Sequence, residues 1–128
     1  MARILLTDDE EAVRGFVQRA LEMDGHQVTQ AFDGADALDK LGAARTPYDL
    51  LLTDIRMPMM DGVALALAAA RDHPETVILL MTGYADQRER AAGLDALIHD
   101  VVTKPFSLAQ IRAAVADALG SRAERLSA

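Results

Sequence analysis

Five polar side chains stand at the ends of short apolar runs. Asp8 and Asp9 follow Ile4-Leu5-Leu6 in RILLTDDEE, Asp54 follows LLLT, Thr82 follows VILLM and Lys104 closes VVTK. Three carboxylates crowded together repel and raise one another's pKa unless a cation sits among them. The chain has no cysteine, so carboxylate, carbonyl and water oxygens are the ligands on offer. They imply a hard ion, for which Mg2+ is the natural cytoplasmic choice. A carboxylate beside such an ion, with an ammonium and a hydroxyl opposite, is suited to accept a phosphoryl group. Asp54 would attack, the ion and Lys104 would neutralise the equatorial oxygens, and Thr82 would donate a hydrogen bond.

Each residue also has an ordinary structural role open to it. An acid pair opening a helix caps it and meets the positive end of its dipole, which is the reading for Glu10 and Glu11 and an alternative for Asp8 and Asp9. Asp54, ahead of Pro58 and the Asp61-Gly62 pair, could be a turn acid, and Thr82-Gly83 a loop opening. A single Lys is usually solvated. Lys104 carries more weight, because the chain has eleven Arg and two Lys, so a compact ammonium at a strand end reads as a chemical choice. The coincidence of all five at successive strand ends argues against the structural alternatives. His26, His73 and His99 lack ligand spacing and read as surface or packing residues.

The elements that would position these groups follow from hydrophobic pattern. Arg3 to Thr7, His26 to Ala31, Asp49 to Thr53, Thr76 to Met81 and Ile98 to Val102 are strand candidates. RILLT, DLLLT and TVILLM are nearly continuous apolar runs, as in parallel strands covered on both faces. Val13, Phe16, Val17, Ala20 and Leu21 form one helical stripe, and Leu108, Ile111, Val115, Ala118 and Leu119 another. Gly25 and Gly120 sit where those helices should stop. Helices are expected near 35–43 and 62–72. A fourth, over ADQRERAAGLDAL, has a weak stripe with Gly93 inside it and should be the most mobile. Five βα units with right-handed crossovers make an open, doubly wound α/β sheet, for which the flavodoxin-like order 2-1-3-4-5 leads. In such a sheet ligands sit outside the carboxyl ends of the strands, near the switch between strands 1 and 3. Residues 1–120 read as one domain and SRAERLSA, 121–128, as a loose tail.

Composition narrows the function. At 128 residues the chain is one domain. Thirteen Lys and Arg against twenty Asp and Glu leave a net charge of −7, which opposes direct DNA binding and adsorption to an anionic membrane. No apolar stretch reaches the length of a membrane span, and the N-terminus is no signal peptide. A cytoplasmic protein is expected.

The motifs TDD, LLLTDIRMPMMDG, LLMTG and VTKPF, with FDGADAL on the second helix, together resemble the receiver domain of bacterial two-component response regulators. The resemblance covers essentially the whole chain, and the ordered set is far more specific than any one motif. It implies that Asp54 is phosphorylated from a histidine kinase or histidine phosphotransfer protein. It also implies that Asp9, Asp54 and the main-chain carbonyl of Arg56 bind Mg2+ directly, with Asp8 helping mostly through water. Thr82 and Lys104 would contact the phosphoryl group. Such a protein assists its own aspartyl phosphorylation and dephosphorylation rather than acting as an enzyme on other substrates.

With no room for an output domain, the chain reads as a stand-alone receiver, a phosphorelay intermediate or phosphorylation-gated adaptor. Its partner surface would be the face of the fourth helix, fifth strand and fifth helix. TGYA and KPF are further similar to receivers of hybrid kinases and to short cell-cycle regulators of the CpdR type. One departure stands out: many relatives carry a strand 5 aromatic at the position of Val101. Tyr84 is the nearby aromatic on the strand 4 side, either as part of a switch over residues 82–96 or as a partner-contacting surface residue. Rival classes fit less well. A flavodoxin needs a hydroxyl-rich phosphate loop where TDDEE stands, a dehalogenase-type phosphatase wants an acid where Arg56 stands, and a passive pseudo-receiver need not retain all five residues.

Overall fold

The computed structural model describes residues 2–83 and 92–127. Five strands, β1 (Arg3–Thr7), β2 (Gln27–Ala31), β3 (Leu50–Asp54), β4 (Val77–Thr82) and β5 (Asp100–Thr103), form one parallel sheet in the order β2-β1-β3-β4-β5. This is the expected α/β arrangement. The helices are α1 (Glu11–Glu22), α2 (Gly34–Ala43), α3 (Gly62–Asp72) and the C-terminal helix α4 (Leu108–Ser127), which is fifth by sequence pattern. Every residue of β3 and β4 is buried, as expected where apolar layers cover both faces. Leu5, Leu51 and Ile78 face α2 and α3 with Leu41, Leu65 and Ala69. Ile4, Leu6, Leu50 and Leu79 face α1 and α4 with Val17, Leu21, Ile111 and Val115.

Local chemistry sets the helix ends. Asp33 and Asp61 accept hydrogen bonds from the Asp36 and Ala64 amides, at 2.8 and 2.9 Å, and so start α2 and α3. Ser107 and Gln110 cap α4 reciprocally: the Gln110 amide donates to Ser107 Oγ at 3.0 Å, and the Ser107 amide to Gln110 Oε1 at 2.8 Å. Gly25, with φ of 82°, ends α1 where the pattern placed the stop.

Several sequence expectations are corrected. Asp54 and Thr82 are the last residues of β3 and β4 rather than the first after them, because the ladder continues through the pairs Asp54 with Met81 and Thr82 with Thr103. β2 and β5 begin one and two residues later than the apolar pattern suggests. Gly120 does not stop the last helix, which runs on to Ser127. Arg122, in the stretch read as a loose tail, pairs with Asp49 at 3.1 Å and donates from Nε to the Glu75 carbonyl at 3.1 Å. Of the expected fourth helix, the described part contains a 3-10 turn at Ala92–Leu94. Tyr84 and residues 85–91 lie outside the described residues, so the reading of Tyr84 as switch or contact residue does too.

Candidate functional site

The carboxyl edge of the sheet brings Asp8, Asp54 and Lys104 into direct contact. Asp8 follows β1 and is fully buried, and Asp54 ends β3 at 5% exposure. Lys104, just after β5, reaches back so that Nζ lies 2.9 Å from Asp8 Oδ2 and 3.2 Å from Asp54 Oδ1. Its backbone is placed by a 2.7 Å bond from the Lys104 amide to the Thr82 carbonyl, and the following Lys104-Pro105 peptide is cis. Thr82 is buried at the neighbouring strand end.

Two close approaches hold the loop after Asp54. The Gly62 amide donates to the Ile55 carbonyl at 2.7 Å, which folds the start of α3 under the end of β3. A Cβ at Gly62 would fall 2.1 Å from the Asp54 carbonyl oxygen. Arg56 lies in this loop with its side chain exposed.

Burial and charge oppose each other at the two carboxylates. Burial pushes Asp54 up to about 6; Lys104 counteracts this, while the charges of Asp8 and Asp9 add to it. Asp8 is raised as well, first by burial, against the Glu10 amide bond and Lys104. Burial alone would lower the Lys104 pKa. Its bond to Asp8 and the charges of Asp54 and Asp8 outweigh that, and the ammonium is held above its ordinary range.

Beside this triad lies an acidic group. Carboxylate oxygens of Asp8, Asp9 and Glu10 come within 4.8 Å of one another, with Asp9 and Glu10 exposed. An all-oxygen, anionic donor set of this kind suits a hard divalent cation. By sequence Glu10 is a helix-capping acid. It occupies the N-cap position of α1, yet its side chain makes no capping bond, and its amide donates to Asp8 Oδ1 at 2.9 Å. Its carboxylate therefore joins the acidic group.

A cleft of about 620 Å³ opens over Asp54 and Lys104, walled by Val13 and Phe16 of α1, by Gly83, and by Pro105 and Phe106. The Phe16 and Phe106 rings lie 6.4 Å apart. A carboxylate and an ammonium thus face outward through a mostly apolar mouth. The histidines stay apart: His26 Nδ1 accepts from the Ala2 amide, His99 pairs with Asp117, and His73 caps α3. Sequence reasoning missed Arg14, which donates to the Asp8 carbonyl at 2.6 Å. Its target is a main-chain atom, which no side-chain motif marks.

The family model described as the response regulator receiver domain matches residues 4–116. The response regulator MprA of Mycobacterium avium (strain 104) is 38% identical over 111 residues, 87% of this chain and 48% of MprA. The chain thus spans about half the length of the curated relatives it matches. A CheY-like receiver domain protein from Methanospirillum hungatei JF-1 superposes with a TM-score of 0.88 at 26% identity over 98% of each chain. TrrA from Thermotoga maritima, solved in complex with Mg2+-BeF, gives 0.81 at 28% identity over 91% of this chain and 98% of TrrA.

Proposed function

The chain belongs to the response regulator receiver domain family of two-component signalling, and on that basis we propose that Asp54 is its phosphoacceptor. The family's members are phosphoacceptor modules phosphorylated by histidine kinases. In this reading a histidine kinase or histidine phosphotransfer protein presents a phosphoimidazole at the cleft. Asp54 Oδ attacks phosphorus, the P–N bond breaks, and the imidazole leaves with the bonding pair. A carboxyl pushed up to about 6 is still mostly ionised near neutral pH, so burial does not disarm the nucleophile. Lys104 pairs with the acceptor and would follow the charge onto the phosphoryl oxygens, and Thr82 would donate a hydrogen bond to one of them.

Asp8, Asp9, Asp54 and the main-chain carbonyl of Arg56 would hold Mg2+, Asp8 mostly through water. When bound, the ion supplies positive charge to the phosphoryl oxygens. The oxygen-only acidic group supports this, as does the relative from Thermotoga solved with Mg2+-BeF. The reading further takes the protein to be cytoplasmic and to signal through phosphorylation-dependent protein contacts on the face of β5, α4 and the fourth helix expected from sequence, most of which lies outside the described residues. It also has the site assist both formation and loss of the aspartyl phosphate. Among the described residues, no helix is long and apolar enough to cross a membrane.

The observation that carries this reading is the Lys104 ammonium spanning Asp8 and Asp54 at the rim of the cleft. Incubation with acetyl phosphate tests it by intact mass. One phosphoryl group should add in the presence of Mg2+, and none with chelator or in Asp54→Asn. Phosphate on another residue, or uptake indifferent to chelator, would overturn the assignment.

A further inference from the structure

Asp8 is tied at every polar atom. Its amide donates to the Ala31 carbonyl at 3.4 Å, Oδ1 accepts from the Glu10 amide at 2.9 Å, and Oδ2 accepts from Lys104 at 2.9 Å. Its carbonyl accepts from Arg14 Nη1 at 2.6 Å. Asp9 is held quite differently. Among the described residues no hydrogen bond or ion pair is made by its side chain, and that side chain is exposed. Its direction therefore depends on the peptide joining it to Asp8, and the oxygen of that peptide is the atom that Arg14 grips.

Arg14 is itself braced. Its amide donates to the Glu10 carbonyl at 3.1 Å, so backbone and side chain together clip residues 8–10 onto the first turn of α1. Its Nε donates to Gln30 Oε1 of β2 at 3.0 Å, and Gln30 Nε2 donates to Gln18 Oε1 of α1. Gln18 continues the chain to Glu22 at 3.3 Å. The planar guanidinium thus holds a fixed two-point geometry between the sheet edge and the acidic loop, which a single ammonium cannot copy.

We infer that Arg14 is a positioning residue for the cation site, fixing the Asp8–Asp9 peptide so that Asp9 projects toward the ion. This rests on the reading of Asp9 as a direct Mg2+ ligand. In this role Arg14 would ligate neither the ion nor the phosphoryl group; it acts through the peptide whose oxygen it holds. Its effect also runs against its charge. A cation beside a metal site disfavours the metal, so as a mere neighbouring charge Arg14 would weaken Mg2+ binding and its removal would strengthen it. As a brace its removal weakens binding, because outer residues that orient metal ligands are typically worth tenfold or more in affinity.

Titration calorimetry with MgCl2 on the full chain, alongside the melting temperature of the metal-free protein, separates these roles. Arg14→Ala should bind Mg2+ roughly tenfold more weakly, with the acetyl phosphate reaction restored by raising Mg2+. Arg14→Lys should fall between the two, and Gln30→Ala, which removes the strut and leaves the cation, should weaken Mg2+ binding in the same direction by less. Unchanged or tighter binding in Arg14→Ala would overturn the inference, as would a fall in melting temperature with the Mg2+ affinity intact. Should Arg14→Ala not fold, Gln30→Ala decides by the same criterion. Asp9→Ala is the control: if it binds Mg2+ like wild type, the cation-site reading itself has failed, whereas loss there with no effect at Arg14 refutes the positioning role alone.

Discussion

Gly62 lies against the main chain of Asp54, so close that a Cβ would sit 2.1 Å from the Asp54 carbonyl oxygen and 2.8 Å from the Ile55 Cα. Both neighbours are backbone atoms of buried residues at and just after the end of β3, so no side chain can swing aside to make room. Gly62→Ala should therefore cost about 3 kcal/mol or more, as read from urea unfolding. Whatever folds should accept phosphate poorly, because the strain falls on the peptide of Asp54, the proposed acceptor. A variant as stable and as reactive as wild type would show that the loop can shift freely.

Lys104 offsets two buried carboxylates at once. Lys104→Met keeps most of the side-chain volume and removes the charge, leaving Asp8 and Asp54 facing each other. Near pH 7 the apo protein should lose about 3 kcal/mol. The deficit should shrink near pH 5, where Asp54 takes up a proton in both proteins and the missing ammonium matters less. A deficit that is the same at both pH values would assign the loss to packing.

How far the sequence announced this site depends on what kind of atom does the holding. Asp8, Asp54, Thr82 and Lys104 were legible because parallel strands read as apolar runs, and a charged or hydroxyl residue at the end of such a run has one sheet edge to stand on. Glu10 and Arg14 were not. Glu10 sits where a capping acid belongs, and only the absence of its capping bond reveals otherwise. Arg14 works on a carbonyl six residues back, which leaves no periodicity to read. Gly120 misled for a related reason. A glycine within a helix costs up to ~1 kcal/mol relative to alanine, which marks a stop only when nothing beyond it is anchored. The bonds of Arg122 to Asp49 and to the Glu75 carbonyl supply that anchor from far away in sequence.

The raised Asp54 pKa fixes the sign of a pH effect. Its folded value is about 6 against an ordinary 3.8, so between those values the folded state binds more protons than the unfolded one. Asp54's contribution to stability is therefore most favourable at low pH, declines as pH rises from about 4 to 6, and levels off above. Asn cannot titrate. The stability of Asp54→Asn minus that of wild type should accordingly grow across that window, by at most ~3 kcal/mol, then flatten. Denaturant unfolding of both proteins without metal from pH 4 to 8 measures it. A difference independent of pH, or one that shrinks as pH rises, would mean that Asp54 is not held protonated by its burial.

Mg2+ should act on the same charges from the other side. Asp8, Asp9 and Glu10 bring carboxylate oxygens within 4.8 Å of one another, and that repulsion acts on the folded chain more than on the unfolded one. A cation bound only by the folded state stabilises it by mass action, about 2.7 kcal/mol at one hundred times its dissociation constant. Asp9→Ala removes both a repelling charge and a proposed ligand, so two opposite outcomes are expected from one substitution. Without metal its melting temperature should equal or exceed that of wild type. With millimolar Mg2+ it should fall behind, because the gain expected of wild type is lost. Acid should erase the difference between metal-bound and metal-free wild type, since below pH 6 an ion held by Asp54, as proposed, must displace a proton from it. Differential scanning calorimetry of the two proteins at pH 5 and pH 7.5, with and without Mg2+, tests all three expectations. An Asp9→Ala variant stabilised by Mg2+ as strongly as wild type would remove Asp9 from the ligand set.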